Sequence, residues 1–400
     1  MSRILVVAGG NWQIDLIKKA KEMGHYVVCS NLYEDSPAFK FADACEVSDV
    51  KDKEANLQFA VKHNVDAVIT DQSDIAVPTV AYIAEKLGLP GIGTEKADIC
   101  TDKSAMRNFC KKNGFLIPDY KPCHTVADAE EMIDKYGKII LKPIDSQSAR
   151  GVFAVDSMDK LKEYYPITVS YANRRQEILA EEYVEGAEFT VDGLVVNGHH
   201  YPLCISVKEM HKRNPMVSMV QTYSYKHDEF DYDELRRQNR ALAECIGLPF
   251  GLTHTEYRFS NGKFYLLEIA ARGGGSNLAS KIVPYISGID NYRYLINDAT
   301  GVTNDDHELT NYRFPEDNYA IMRFFDFGTG TVEELEGVEF LKNSPFLLDY
   351  NLELKKGDQI AEPRFGSMRA GHFTIVGHDM QELQREYKNI LDKVHVKFQG

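Results

Sequence analysis

Two lysines sit where a cation needs an anionic partner. Lys142 closes the apolar run Ile139-Ile-Leu141 and precedes Pro143, so its ammonium must snorkel to solvent or meet an anion. Lys103 lies in Thr101-Asp-Lys103, at the start of a predicted helix that follows the glycine- and proline-punctuated stretch 88–93. After Lys142 comes Asp145-Ser-Gln-Ser-Ala-Arg-Gly151, a small, hydroxylated loop between two predicted strands. Such a loop can wrap backbone N–H groups around phosphate oxygens. Taken alone, the segment reads as readily as a solvated hairpin loop.

Glu181-Glu-Tyr-Val184, with Gly186 and Glu188 behind it, is an apolar strand edge followed by a glycine turn. Such an edge can offer backbone donors and acceptors to a flat base, and Glu188 could accept bonds from ribose hydroxyls. A plain acidic strand-turn-strand remains the alternative. Glu256 and Glu268 lie on the two arms of a predicted hairpin that turns at Asn261-Gly262. Two carboxylates on neighbouring strands suit Mg2+, a hard ion that often shares its oxygen ligands with substrate phosphates. A strict two-residue turn would set Glu256 opposite Leu267 and send Glu268 to the other face. Both can meet one metal only through a bulge or an odd-length loop. Arg272-Gly-Gly-Gly-Ser276 then places one guanidinium beside bare backbone, a setting for an anionic intermediate or a carboxylate.

The elements that must position these residues fall into three stretches. Residues Ile4–Ala8, Tyr26–Cys29 and Ala67–Thr70 read as strands separated by helical patterns such as Ile14, Leu16, Ile17, Ala20. That alternation predicts a doubly wound, parallel α/β domain whose ligand crevice lies at the strand ends, Gly9–Gln13 and Asp71–Asp74. From Ile139 the pattern turns to strands joined by short turns: 138–143, 151–155, 178–184 and 189–196. A helix over 232–246 and the hairpin over 252–269 follow, an α+β arrangement. The last stretch ends in a strand at 372–376 and a helix over 380–394.

Composition narrows the function classes. Lys and Arg number 46 against 60 Asp and Glu, a net charge of −14, which argues against nucleic-acid binding. No apolar run approaches the length of a membrane helix, and MSRILVVAGG reads as a first strand rather than a signal peptide. Seven irregularly spaced cysteines without CxxC give neither a zinc site nor a disulfide framework, so a reduced, cytoplasmic protein is expected.

Together these residues resemble the ATP-grasp ligases, the superfamily of D-alanine–D-alanine ligase, the purine-biosynthesis ATP-grasp enzymes, biotin carboxylase and the L-amino acid ligases. Four pieces in order carry the resemblance: Thr101-Asp-Lys103, Ile140-Leu-Lys-Pro143 with its loop, Glu181–Glu188, and Leu267-Glu-Ile-Ala-Ala-Arg-Gly-Gly-Gly275. It implies an N-terminal α/β domain over 1–98, an ATP-grasp fold over 99–305 with a lid at about 119–187, and a C-terminal α+β segment over 306–400. It also implies ATP held by Lys103 and Lys142 under a flap containing Ser146, Ser148 and Gly151. In the same reading Glu181, Tyr183 and Val184 match the adenine strand and Glu188 the ribose carboxylate. Glu256 and Glu268 match ligands of Mg2+ or Mn2+. Lys208 matches a lysine at the γ-phosphate, and Arg272 an arginine near an acyl-phosphate. Many relatives carry Asn where Ala270 stands, which puts a third metal ligand in doubt.

The implied reaction activates a carboxylate as an acyl-phosphate and joins it to an amine, both small molecules, with a homodimer left open. The Ala-x-Arg-Gly-Gly-Gly form leans toward the L-amino acid ligase branch. A carboxylase, a purine-type ligase and a non-catalytic nucleotide-binding module are the alternatives. Within this frame His254 is a candidate proton acceptor or a hydrogen-bonded structural residue, and Lys208–Met219 reads as a basic loop that contacts an acidic substrate group or as a plain surface loop with Lys212 and Arg213 solvated. Asp71-Gln72 is a substrate contact or a simple cap. A Rossmann oxidoreductase is the rival that the motif speaks against, because Gly9, Asn11 and Ile14 break GxGxxG and Ser30-Asn31 stands where an acid belongs.

Overall fold

The computed structural model describes residues 1–172 and 176–400. Strand β1 (Arg3–Val7) pairs in parallel with β2 (Tyr26–Asn31) and β4 (Ala67–Ile69), and β3 (Ala44–Val47) extends the sheet in the order β3-β2-β1-β4. The apolar runs arise because both faces are covered. Ile4 and Val6 pack with Leu16 and Ile17, while Leu5 and Val7 pack with Ala60 and Ile83. The sequence pattern missed β3, a half-exposed edge strand whose Ala-Cys-Glu-Val carries no apolar run.

A second, antiparallel sheet contains β5 (Tyr120–Cys123), β6 (Ile139–Pro143), β7 (Phe153–Val155) and β8 (Ile178–Glu182), in the order β5-β8-β6-β7. Helices Val126–Tyr136 and Met158–Ser170 cover one face and bury Leu141, Ile133 and Leu161. The chain continues with β9 (Ala187–Val196), β10 (His199–Met210), β11 (Ser218–Tyr223), β12 (Gly251–Ser260) and β13 (Lys263–Ala270). The last strands are β14 (Tyr319–Phe324), β15 (Gly330–Glu336), β16 (Leu347–Asn351), β17 (Gln359–Ile360), β18 (His372–Gly377) and β19 (His395–Phe398). The eight-stranded sheet runs β13-β12-β9-β10-β11-β14-β18-β16, so the C-terminal stretch extends the central sheet through β14, β18 and β16, while β17-β15-β19 form a small sheet of their own. By pairing Val220 with Arg323, β14 covers the edge that β11 would otherwise leave open. Among the described residues no helix is long and apolar enough to cross a membrane. All seven cysteines are free.

The hairpin keeps strict register from Ser260 opposite Lys263 to Tyr257 opposite Leu266, around Asn261 and Gly262 with φ of 50° and 75°. The register then shifts, Leu267 becomes the extra residue, and Glu256 comes opposite Glu268. This is the bulge that the two carboxylates required. The expected basic loop is shorter than its sequence suggested. Lys208 belongs to β10 and Ser218 begins β11, leaving only the turn between Met210 and Ser218.

Gly186 sits at the junction of the second sheet and the central one, with φ of 139° and a position where a Cβ would lie 1.8 Å from the Phe259 carbonyl oxygen. Gly186→Ala should cost about 3 kcal/mol or more in thermal unfolding. Gly198→Ala, with φ of 80° and open space around it, should cost about 1 kcal/mol. Equal losses at the two positions would show that the junction yields easily.

Candidate active site

Between the second sheet and the central one lies an open cleft of about 810 Å3. Its walls include Lys103 and Lys142, Ser146 and Ser148, Tyr183 and Val184, and the carboxylates Glu181, Glu188, Glu256 and Glu268. Residues far apart in sequence thus meet in one place. Lys208, His254 and Arg272 stand beside this cleft without lining it, and Gly151 faces the neighbouring space behind the flap.

Helix Lys103–Lys112 begins at Asp102, whose side chain caps Ala105 N. Lys103 donates from Nζ to Ser146 O at 2.8 Å and to Glu268 Oε1 at 3.2 Å. One turn later stands Arg107, which is fully buried. Its Nε donates to Glu181 Oε1 at 2.8 Å and its Nη2 to the carbonyl of the bulge residue Leu267 at 2.8 Å. Lys142 reaches the same carboxylate, 2.7 Å from Glu181 Oε2. In the antiparallel ladder Lys142 faces Leu179, so Glu181 is its diagonal neighbour on one sheet face. Burial and the nearby Arg107 push Lys142 down to about 8, against the pull of Glu181. Burial pushes Glu181 up, but Arg107 and Lys142 more than offset it and hold its carboxyl below the usual range. Glu181 therefore serves as counter-ion to two cations. Tyr183 and Val184 follow the end of β8: Lys138 Nζ lies 3.6 Å above the Tyr183 ring, and the Val184 carbonyl accepts from Arg258 at 3.2 Å.

Beside the cleft, Lys208 Nζ bridges Glu188 Oε1 at 2.9 Å and Glu256 Oε1 at 2.5 Å. The second oxygen of Glu188 accepts from Arg258. Burial works against the charge of Lys208, yet the two carboxylates raise its pKa above the ordinary lysine value. Burial likewise opposes the charge of Glu256, but Lys208 and His254 keep it well below the usual carboxylate range. His254 Nδ1 lies 2.8 Å from Asp192 Oδ1, and its Nε2 is 3.8 Å from Glu256. Burial lowers the imidazole, but Asp192 carries it up to about 9.

Arg272 grips Asp74 of the N-terminal region through both ends of its fork, Nε at 2.8 Å and Nη2 at 2.6 Å. Asp71 is fully buried and accepts from Gly273 N at 2.8 Å and from the Tyr292 hydroxyl. The expectation of a substrate contact at Asp71 is thus corrected: the residue ties the first sheet to the loop after β13. Ser148 and Ala149 both adopt left-handed φ, 59° and 58°, at the tip of the flap. The C-terminal stretch reaches this flap, with Gly366 N donating to Ser148 O at 3.2 Å. Asn214 Nδ2 meets Pro363 O at 3.1 Å, and Arg213 pairs with Glu362 at 2.8 Å. The short turn between β10 and β11 therefore shows the cleft Pro215 and Met216, while its arginine faces the C-terminal stretch.

Arg107 and Arg258 escaped the sequence reading. Lys103 and Arg107 are four residues apart on one helix, which places them on a common face, and that spacing was the available signal. Arg258 lies two residues beyond Glu256 on the same strand, hence on the same face.

A family model described as the ATP-grasp domain matches residues 136–280. The chain carries an ATP-grasp domain. A second model, L-amino acid ligase C-terminal domain 2, matches residues 323–399. The chain is 23% identical over 321 residues to the L-arginine-specific L-amino acid ligase of Bacillus subtilis, covering 79% of this chain and 76% of that one. It is 26% identical over 261 residues to the alanine–anticapsin ligase of Bacillus subtilis, 58% of this chain and 53% of the other, about half of that relative's length. Among solved structures, the L-amino acid ligase from Bacillus licheniformis superposes with a TM-score of 0.84 at 24% identity, covering 100% of this chain and 99% of that one. N5-carboxyaminoimidazole synthetase from Staphylococcus aureus, complexed with ADP, gives 0.74 at 17% identity, covering 98% and 97%. These likenesses show the ATP-grasp fold.

Arg107 joins the helix, the second sheet and the bulge through its fork. Arg107→Met should therefore destabilise the protein by about 3 kcal/mol, and Arg107→Lys should recover less than half of that, because an ammonium lacks the fork. Urea unfolding of the three proteins measures it, and a loss in the methionine variant below about 1 kcal/mol would contradict this account.

Proposed function

We propose that this chain is an ATP- and Mg2+-dependent ligase that activates the carboxylate of an amino acid as an acyl-phosphate and joins it to an amine, releasing ADP and phosphate. One observation carries the reading: a single cleft is lined by Lys103 and Lys142 together with Glu256 and Glu268, the two carboxylates that the bulge sets opposite each other. Phosphoryl transfer rests on positioning and charge compensation more than on a protein nucleophile. The donor set fits a hard divalent ion. Glu256 and Glu268 present oxygens side by side, and among the described residues no group of three acidic, histidine or cysteine side chains closes a cage. A site with so few protein ligands leaves room for phosphate oxygens and water, as Mg2+ prefers. Bound there, Mg2+ or Mn2+ would neutralise phosphate charge.

The chain's own residues do the rest. Lys103 and Lys142, balanced in the free site by Glu268 and Glu181, turn to the triphosphate. Tyr183 and Val184 flank the base, and Glu188 lies where ribose hydroxyls would come. Arg272, tethered by Asp74, fixes the glycine run beside the acyl group. The flap at Ser146–Gly151, backed by the C-terminal stretch, excludes water from the intermediate.

The direct test is ADP and phosphate release with ATP and Mg2+ across pools of amino acids, small carboxylates and bicarbonate. Turnover with an amino-acid pool that falls by at least about a hundredfold in Glu268→Ala is the expected result. Unchanged turnover in the variant overturns the metal assignment, and turnover with bicarbonate alone favours a carboxylase.

A second outcome follows from Lys142. Its pKa of about 8 leaves roughly half of it neutral at pH 8 in the free site. A neighbouring phosphate favours the charged form, so the group must gain a proton when nucleotide binds. Calorimetry in buffers of different ionisation enthalpy should report uptake of ~0.5 proton at pH 8, near zero at pH 6, and none in Lys142→Met.

A further inference from the structure

Glu188 stands in the middle of three strands. In the antiparallel ladders it lies directly opposite Lys208 of β10 and directly opposite Arg258 of β12, so both cations share its face of the sheet. Lys208 takes Glu188 Oε1 at 2.9 Å and also holds Glu256, one of the two carboxylates assigned to the metal. Arg258 takes Glu188 Oε2 and serves a different set of groups. Its Nη1 donates to the Val184 carbonyl at 3.2 Å, and its guanidinium carbon lies 5.9 Å from the centre of the Tyr183 ring. Lys208 thus joins Glu188 to the metal carboxylate, and Arg258 joins it to the segment that flanks the base.

These contacts differ from those of a surface ion pair. Arg258 is 8% exposed and lines the cleft. Its Nε is buried with no hydrogen-bond partner among the described residues, a cost that a side chain free to reach water would avoid. The fork is therefore held on its two acceptors at the expense of a donor. Those acceptors lie on either side of Gly186: Val184 follows the end of β8, and Glu188 belongs to β9. A Cβ on Gly186 would lie 1.8 Å from the carbonyl oxygen of Phe259, the residue after Arg258. Arg258 and Phe259 thus press both sides of the turn 184–188 against β12 and fix the spacing between the base-flanking backbone and the carboxylate. A planar fork can bridge two such acceptors, and an ammonium cannot.

We propose that Arg258 is the positioning residue for the nucleoside half of ATP: its fork orients Glu188 to receive a ribose hydroxyl and holds the Val184 backbone beside the base, so that base and sugar are read together. The proposal rests on the nucleotide site of the ligase reading above and adds the residue that aligns it. With Lys208 and Arg258 each taking one oxygen of Glu188, the lone pairs left over point in fixed directions. A hydroxyl donor is then selected by its direction as well as by the carboxylate charge.

Calorimetric titration with ADP, 2′-deoxy-ADP and 3′-deoxy-ADP in the presence of Mg2+ needs no amino acid and reads the nucleoside site by itself. Wild type should bind ADP about tenfold tighter than the analogue that lacks the hydroxyl received by Glu188. Arg258→Met should weaken ADP binding by about tenfold and shrink that preference to about twofold or less, because Glu188 is then free to swing toward Lys208. Arg258→Lys keeps a cation beside Glu188 and releases Val184. It should retain most of the hydroxyl preference while losing about threefold in ADP affinity, and it decides the matter if the methionine variant fails to fold. A purely structural ion pair would leave the hydroxyl preference alone. A preference as large in Arg258→Met as in wild type, wild-type ADP affinity in Arg258→Lys, or a wild type indifferent to both hydroxyls overturns the proposal while leaving the nucleotide site standing. Failure of wild type to bind ADP overturns the nucleotide reading and the proposal together.

Discussion

Charge balance in a half-closed cleft is the constraint on which this structure depends. Lysines and arginines aimed at one small space repel each other, and each loses hydration as it is buried. The protein answers with interleaved carboxylates: Glu181 between Arg107 and Lys142, and Lys208 between Glu188 and Glu256. These pairs hold the side chains in place before any ligand arrives, so little reorganisation remains for the moment of binding. Individual groups are tuned by burial and pairing together: burial depresses Lys142 against the pull of Glu181, while Asp192 raises His254 against burial.

The same logic joins the parts of the molecule. Arg272 and Asp74 form a bidentate pair across the boundary between the first sheet and the loop after β13, and Asp71 holds Gly273 from the same segment. Here the segment after β4 works as an anchor that fixes the glycine run. At the other side, the C-terminal stretch touches the flap at Ser148 and the turn at Asn214. Its strands continue the sheet that carries Glu256, so the flap is backed by an element rooted in the same rigid layer as the carboxylates.

Much of the fold was legible because its signals are local. Apolar runs buried on both faces marked β1 and β2, and helical periodicity marked Tyr232–Ile246. Asn261-Gly262 marked the hairpin turn. The late strand β18 was legible at 372–376, whereas the edge strand β3 and the late strands β15, β16 and β19 were not, because a half-exposed strand lacks alternation strong enough to stand above a loop.

For the site, residue type and order along the chain already determined that Lys103, Lys142, Glu256 and Glu268 could serve one chemistry, and the register argument showed that a bulge was needed. Which partner each charge takes was decided only by tertiary structure. Arg107 meets Glu181 and Leu267 from a distant helix, His254 meets Asp192 across neighbouring strands, and Arg272 meets Asp74 from another sheet. Sequence spacing carries information about neighbours on one helix or one strand. Ionisation and pairing depend on distances of a few ångströms between elements whose separation no local pattern encodes.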